Sequence, residues 1–417
     1  MHTLHNVMSC LHSVIRASSP LAAAFFTSGL LLLAACADEA RVAGPPPVID
    51  LPPADLTLQK RDFSRVLSVV ELEDGRVLVT DQIENSIYVI DLQSGEVRTE
   101  GSTGEGPGEY GRVGHLYPLG GDSTLLVGEP PRMLLLAGDR IVEGLEPVYP
   151  RLGMGTGEPP WGVDRSGRVL GVAGFAFQPR SGWSRTHADS LHILLATGSI
   201  FDEGTSEPDT IAQVGGQGRW GIERVSTVAQ MGGREVTMNS TLSSPLASEG
   251  QAWLFADGWV ALAHPDPYRV DWLTPAGEWI RGAPLPVSPA DVSLDEQCRA
   301  ISRRAPNAEC DLDRYPGWPN QIPPFTMVTD YGWITPGGTA LQPGPHGMLL
   351  IRRTPTAEAP ETRYDVVDRS GMLRGAIVMP EGGTIVGFGR ASLYVVQKDE
   401  MDLLTLSRHP WPEQLGD

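Results

Sequence analysis

Four carboxylates, Asp81, Glu84, Asp164 and Asp330, stand where apolar strand-forming runs give way to polar turns. Gathered at one end of a sheet assembly, such oxygens and nearby main-chain carbonyls could form the hard shell that Ca²⁺ takes. The competing role is local, because a turn aspartate accepts the free N–H groups of the residues that follow it. With 51 Asp and Glu against 32 Lys and Arg, net charge −19, acidic turns are expected in number. Ca²⁺ is thus the one cofactor with nameable residues, and turn formation is the rival use of those residues.

His115 is the remaining polar candidate. It lies in Arg112-Val-Gly-His-Leu-Tyr-Pro, which reads as a strand, and from an inner strand its imidazole could face a central channel. A satisfied structural histidine is the alternative. Beyond residue 35 the histidines are 115, 187, 192, 264, 346 and 409, and none makes His-x-His, His-x-x-x-His or His-Glu-x-x-His, so zinc has no support. A Gly-x-Ser-x-Gly elbow and a P-loop are both missing. No catalytic residue is predicted. The acidic surface repels phosphate, which excludes nucleic acid as a partner.

Residues 104–111, GEGPGEYG, place Gly106, Gly108 and Gly111 on the spacing of a dinucleotide loop. Such a loop must follow a parallel strand and open a helix whose free N–H groups meet the pyrophosphate. Here a strand follows, Pro107 removes one N–H, and Glu105 and Glu109 would set two negative charges beside the ligand. The segment reads as a link between two sheets, and no nucleotide cofactor is predicted.

The elements that position these residues begin after an N-terminal signal. Residues 1–35 carry Arg16 as their one formal charge and end in an apolar run, LAAAFFTSGLLLLAA, too short to span a bilayer comfortably. Leu33-Ala34-Ala35-Cys36 resembles the lipobox of bacterial lipoproteins. That resemblance implies cleavage before Cys36, a palmitate-type acyl anchor on it, and a place in the cell envelope on the outer membrane or the periplasmic face of the inner one. Residues 36–58, rich in Pro and Ala, then read as a tether. In that oxidising compartment Cys298 and Cys310 are expected to form a disulfide, with a metal pair as the alternative.

From residue 59 to 412, short apolar stretches are cut by Gly, Asp, Ser and Pro every 8–12 residues, as in all-β proteins. Tyr88-Val-Ile-Asp-Leu-Gln-Ser-Gly95-Glu-Val-Arg98 recurs as Tyr364–Arg374 and, with a longer turn, as Tyr268–Arg281. Each copy reads as a strand, a glycine turn and a second strand, the outer hairpin of a four-stranded unit. Units of this size point to a β-propeller of six four-stranded blades, near 62–101, 110–145, 158–214, 243–286, 323–380 and 383–411. Strand-forming residues near 49–60 could complete the last blade and close the ring. Residues 413–417 are left as a tail.

Val79-Thr-Asp81-Gln-Ile-Glu-Asn85-Ser-Ile-Tyr-Val-Ile-Asp91 resembles an NHL-type repeat, with one extra residue between the Asp and the Asn. Gly104-Glu-Gly-Pro-Gly-Glu-Tyr110 resembles a turn of bacterial six-bladed β-propeller lipoproteins, a group without a settled activity. The resemblance is specific over 69–118.

Two insertions interrupt the blades. Residues 176–190 form a polar loop, and 287–322 hold one predicted helix, capped by Ser293 with Glu296 in capping-box position and running to about Arg304. Trp161, Trp183, Trp220, Trp253, Trp259, Trp272 and Trp279 crowd the same half, either to stack on a ligand or to fill space between blades. Three functions follow. The first is a lipid-anchored module binding a protein, peptide or glycan. The second is a Ca²⁺-dependent hydrolase, lactonase or lyase of the six-bladed kind, which an apolar axis would eliminate. The third is an envelope scaffold.

Overall fold

The computed structural model describes residues 46–106, 108–129, 132–145, 160–173, 191–196, 198–201, 208–214, 222–231, 234–304, 309–313, 318–326 and 339–416. The signal 1–35, Cys36, the loop 176–190 and Asp330 lie outside them. Pro47–Asp417 forms one compact unit.

The first blade shows how sequence sets position. Its inner strand, Val66–Glu71, and the next, Val77–Asp81, are almost wholly buried. The outermost strand, Glu96–Glu100, is mostly charged or polar, and only its last residue is buried. Neighbouring side chains of one strand serve different seams. Val69, Val77 and Val79 pack toward the last blade, while Val70 and Leu78 pack toward the second. A strand held between two blades is apolar on both faces, which is why these segments read as continuous apolar runs.

Six such seams close the ring. Separate apolar clusters join blades one and two, two and three, three and four, four and five, five and six, and six and one. The chain is an all-β propeller. Blades one, two, four and six have four strands each; the third has three among the described residues, plus an inner bridge between Val163 and Val169. The inner strands of the last and first blades even pair directly, Gly387 with Val69 and Phe388 with Val70. A Cβ on Gly387 would stand 2.0 Å from the Val69 carbonyl oxygen, so only glycine permits this approach.

The repeated hairpins occupy third and fourth strands: Ser86–Asp91 with Glu96–Glu100, Tyr268–Leu273 with Trp279–Ile280, and Arg363–Val367 with Leu373–Val378. Asp368 accepts the N–H groups of Ser370 and Met372, and Gly371 carries φ +77° at the reversal.

Leu56–Thr57 pairs antiparallel with Leu404–Pro410, completing the last blade. Val48–Asp50 adds a fifth, parallel strand beside Leu373–Val378. The folded body therefore starts at Pro47, and the span expected as tether to residue 58 is in part a strap across blades five and six. Unpaired outer edges explain the difference, since strand partners there satisfy N–H and C=O groups that a free linker would leave to water. The tail expected at 413–417 is also packed: Glu413–Leu415 forms a 3-10 turn, and Leu415 is buried in the seam between blades five and six.

Candidate functional site

Antiparallel alternation sorts every connection to one of two rims. The upper rim carries the links into inner strands and between second and third strands; the lower rim carries the rest. Asp81 ends a second strand and so lies on the upper rim, whereas Asp164 follows the inner segment of blade three and lies on the lower one. The two cannot share a cation.

Their oxygens are also occupied. Asp81 Oδ2 accepts the N–H groups of Ser64 and Arg65, and Oδ1 those of Ile83 and Glu84. Glu84 is paired with Arg61 and accepts the Tyr88 hydroxyl at 2.6 Å. Asp164 accepts from Ser166, from the Arg168 N–H and from Arg168 Nε at 2.7 Å. Asn85 completes the repeat's logic. At φ +51° its Nδ2 donates to the Gly111 carbonyl, and its Oδ1 accepts the Val113 N–H, each at 2.8 Å. Asp81 thus fastens its blade to the incoming link, and Asn85 fastens that blade to the next.

The glycine loop is filled by its own chain. Glu109 Oε2 accepts the Gly106 N–H at 2.7 Å, where a phosphate oxygen would sit in a dinucleotide loop. Carbonyls of Gly104, Glu105 and Gly106 point to the Arg132 guanidinium. The inner strand Arg112–Gly120 follows, with no helix N-terminus for an anion.

On the axis, inner strands of all six blades enclose a cavity of about 120 Å³. Its wall is mostly apolar, with Leu67, Val70, Leu254, Pro343 and Val386 among the lining residues; Ser68, Gln342, Tyr117 and Trp253 carry the hydrogen-bonding side-chain groups. None of the lining residues is charged. His115, a channel candidate with a structural role as its alternative, does not line it. Its Nδ1 lies 3.3 Å from Ser68 Oγ across the seam between blades one and two. Burial alone lowers its pKa to about 4, so the imidazole is neutral at pH 7.

The long insertions share the upper rim. The hairpin Ile222–Met231 with Arg234–Ser243 links blades three and four, and the helix Leu294–Arg304 (α1) lies between blades four and five. Residues 353–362 link the second and third strands of blade five. Leu246, at the hairpin's base, packs with Ala300 of α1, Ile322 and Trp318 in an apolar cluster distinct from the six seams. Ser293 Oγ accepts the Glu296 N–H, the expected cap. The Glu296 carboxylate departs from the capping box and accepts the Ala357 N–H, while Arg303 donates to the Pro355 carbonyl. Cys298 and Cys310 form the disulfide, with Cα atoms 5.0 Å apart. Beneath, the Tyr268 hydroxyl donates to Asp365 at 2.7 Å and Arg353 donates to the same oxygen at 3.0 Å. Burial, reinforced by the Asp365 charge, holds the Tyr268 phenol protonated, far above its ordinary pKa, so it cannot act as a base.

No family model and no curated protein matches the chain. Solved structures similar to it include a protein described as exported from Bacteroides fragilis, at 12% identity and TM-score 0.43, covering 88% of this chain and 99% of that one. A catalytically inactive virginiamycin B lyase from Staphylococcus aureus, crystallised with quinupristin, has 11% identity and TM-score 0.36 over 84% and 97% of the two chains. The calcium-binding protein regucalcin from Agrobacterium tumefaciens has 11% identity and TM-score 0.35 over 88% and 97%.

Among the described residues no three His, Cys, Asp or Glu side chains come together as a metal-holding group. Of the four carboxylates offered for Ca²⁺, the described three, Asp81, Glu84 and Asp164, therefore do not gather around one ion, and Asp330 lies outside the described residues. Trp161, Trp253 and Trp272 are buried in seams, and Trp259 packs beside Trp272; Trp279 is exposed on the outer strand of blade four. Sequence reasoning missed the 222–243 hairpin. Its signal was Gly232-Gly233 between two strand-forming runs, a two-residue turn motif.

Proposed function

We propose that this protein is a lipid-anchored β-propeller of the bacterial cell envelope whose upper rim binds a protein, peptide or glycan. One observation carries the reading. The hairpin, α1 with its disulfide, and the 353–362 link all leave the ring from the same rim, where Leu246 just after the hairpin packs with Ala300 of α1 and α1 is hydrogen-bonded to the 353–362 link. On the lower rim most connections are tight turns. A scaffold positions long insertions without needing them for its own closure, so insertions gathered on one face are suited to recognition. The lipobox-like Leu33–Cys36 supports the anchor, and the propeller with its Asp81/Asn85 repeat supports kinship with six-bladed envelope lipoproteins.

The hydrolase, lactonase or lyase alternative needs several side-chain oxygens converging on the axis. The lining residues with polar side-chain atoms are Ser68, Gln342, Tyr117 and Trp253, and none is a carboxylate. Binding is therefore the better reading, and no catalytic step is assigned.

Replacing residues 288–321 by a short Gly-Ser linker in the immobilised protein tests this. Capture of envelope proteins, peptides and glycans should be lost while the strand circular dichroism is kept. Unchanged capture overturns the rim as the site, and no capture by either form favours a scaffold. Substituting Cys36 by serine should release the protein from the membrane and abolish labelling by a palmitate analogue.

A further inference from the structure

We infer that the lower-rim edge shared by blades four and five rests on the bilayer, so that an apolar surface holds the chain there together with its acyl group. The inference rests on the Cys36 anchor proposed above and gives a partner to a surface which that reading leaves unused. Of the nine large apolar side chains left exposed among the described residues, four belong to this edge: Val48 at 59%, Trp279 at 44%, Ile280 at 37% and Met372 at 57%. Single exposed apolar residues are ordinary on a water-soluble body, but a contiguous group marks an interaction surface. The backbone makes these contiguous. Trp279 and Ile280 form the outermost strand of blade four, and Met372 follows Gly371 in the neighbouring turn of blade five. A Cβ on Gly371 would stand 2.6 Å from the Gly282 Cα, so the two blades touch main chain to main chain between Ile280 and Met372. Val48 lies opposite Ala376 on the edge of blade five, where the Pro47 carbonyl accepts the Ala376 N–H at 2.9 Å.

The place where the chain joins the folded body identifies the partner. Val48–Asp50 runs parallel to Leu373–Val378, so the residues before Pro47 reach blade five from the Leu373 end, beside Met372. Eleven positions separate Cys36 from Pro47, at most about 40 Å of chain. An acyl group on Cys36 therefore brings a bilayer within reach of this edge before any other. The residue types suit it as well. A tryptophan combines an apolar body with one N–H and settles at the headgroup boundary, and the exposed Arg281 beside Ile280 offers a cation to lipid phosphate. Because the chain as a whole is acidic, net charge −19, a zwitterionic bilayer is favoured over an anionic one. Trp279 and Met372 adjoin turns between third and fourth strands, which lie on the lower rim. The contact thus turns the upper rim, with its insertions, away from the membrane and toward a partner.

The test places the acylated chain in phosphatidylcholine vesicles whose acyl chains carry bromine, which quenches tryptophan emission at contact. Emission should fall relative to unbrominated vesicles, and the fall should vanish in Trp279→Phe, which keeps the apolar surface. Ile280→Ser with Met372→Ser retains Trp279 as the reporter and should cut the quenching by about half or more. All three side chains are exposed, so the fold does not depend on them. Amide exchange on the unaltered chain gives a second reading: vesicles should slow exchange in 278–282 and 371–375 and leave Leu294–Arg304 of α1 unchanged. Incorporation of a palmitate analogue is read on the same sample. An acylated chain that shows no bromine quenching, or quenching that persists in Trp279→Phe, overturns the contact and leaves the anchor standing; this includes the case in which a second copy of the chain covers the edge. A chain without an acyl group overturns the anchor and the contact with it.

Discussion

Ser68 Oγ and His115 Nδ1 meet at 3.3 Å across the seam between the first two blades, in a setting so buried that the imidazole stays neutral. The unfolded chain has an ordinary histidine pKa near 6.5, against about 4 in the fold. Between those values the unfolded state binds the extra proton, so stability is fully present above pH 6.5 and is lost as pH falls toward 4. The expected loss is about 3 kcal/mol from this residue. Urea midpoints measured at pH 7 and pH 4.5 should converge in His115→Gln relative to the native chain; an unchanged pH slope counts against the assignment.

Asp81 and Asn85 act by fastening links rather than by binding metal. Asp81→Ala strands four main-chain N–H groups and should cost about 3 kcal/mol, with no response to added Ca²⁺. Asn85→Gly keeps the positive φ but loses both bonds to the Gly111–Val113 segment, for about 2 kcal/mol. Chemical denaturation with and without Ca²⁺ measures both.

The strap is a lock on the ring. A chain starting at Lys60 loses Leu58, which is 1% exposed, together with both strap strands. It also loses the Pro52 carbonyl to which His409 donates and the Asp55 partner of Arg408. A stability loss on the order of 4 kcal/mol is expected, with proteolysis at 404–410, whereas a chain starting at Pro46 should melt like the full one. Equal melting of the two would show the strap to be ornamental.

Removing the disulfide should act locally. Closing a loop between cysteines 12 positions apart limits the unfolded insertion by about 3 kcal/mol, but the insertion's cluster is separate from all six seams. Cys298→Ser with Cys310→Ser should raise amide exchange in Leu294–Arg304 and leave the blade strands protected. Global loss of protection would mean that the insertion is part of the ring's core.

By itself the sequence determined the things that depend on neighbours along the chain. Turn chemistry at Asp368-Arg-Ser-Gly371, hairpins such as Tyr88–Arg98, and the helix starting after Ser293 are all set within a few residues. Runs apolar on both faces, as in Val66–Glu71, announced strands sandwiched between others. What the tertiary structure alone decided is how rims and seams are assigned. Asp81 and Asp164 look alike in sequence, yet strand alternation sends them to opposite rims. His115 reads as a channel residue, but side chains alternate along an inner strand, and a one-residue shift in facing turns the axis into a seam. A strand near 49–60 closing the last blade was legible, and Leu56–Thr57 forms it; that Val48–Asp50 becomes a fifth strand of blade five was not, because it depends on a blade edge elsewhere in the ring that lacks a partner. Those outcomes depend on closing a circle through six distant segments, and no local run of residues contains that information.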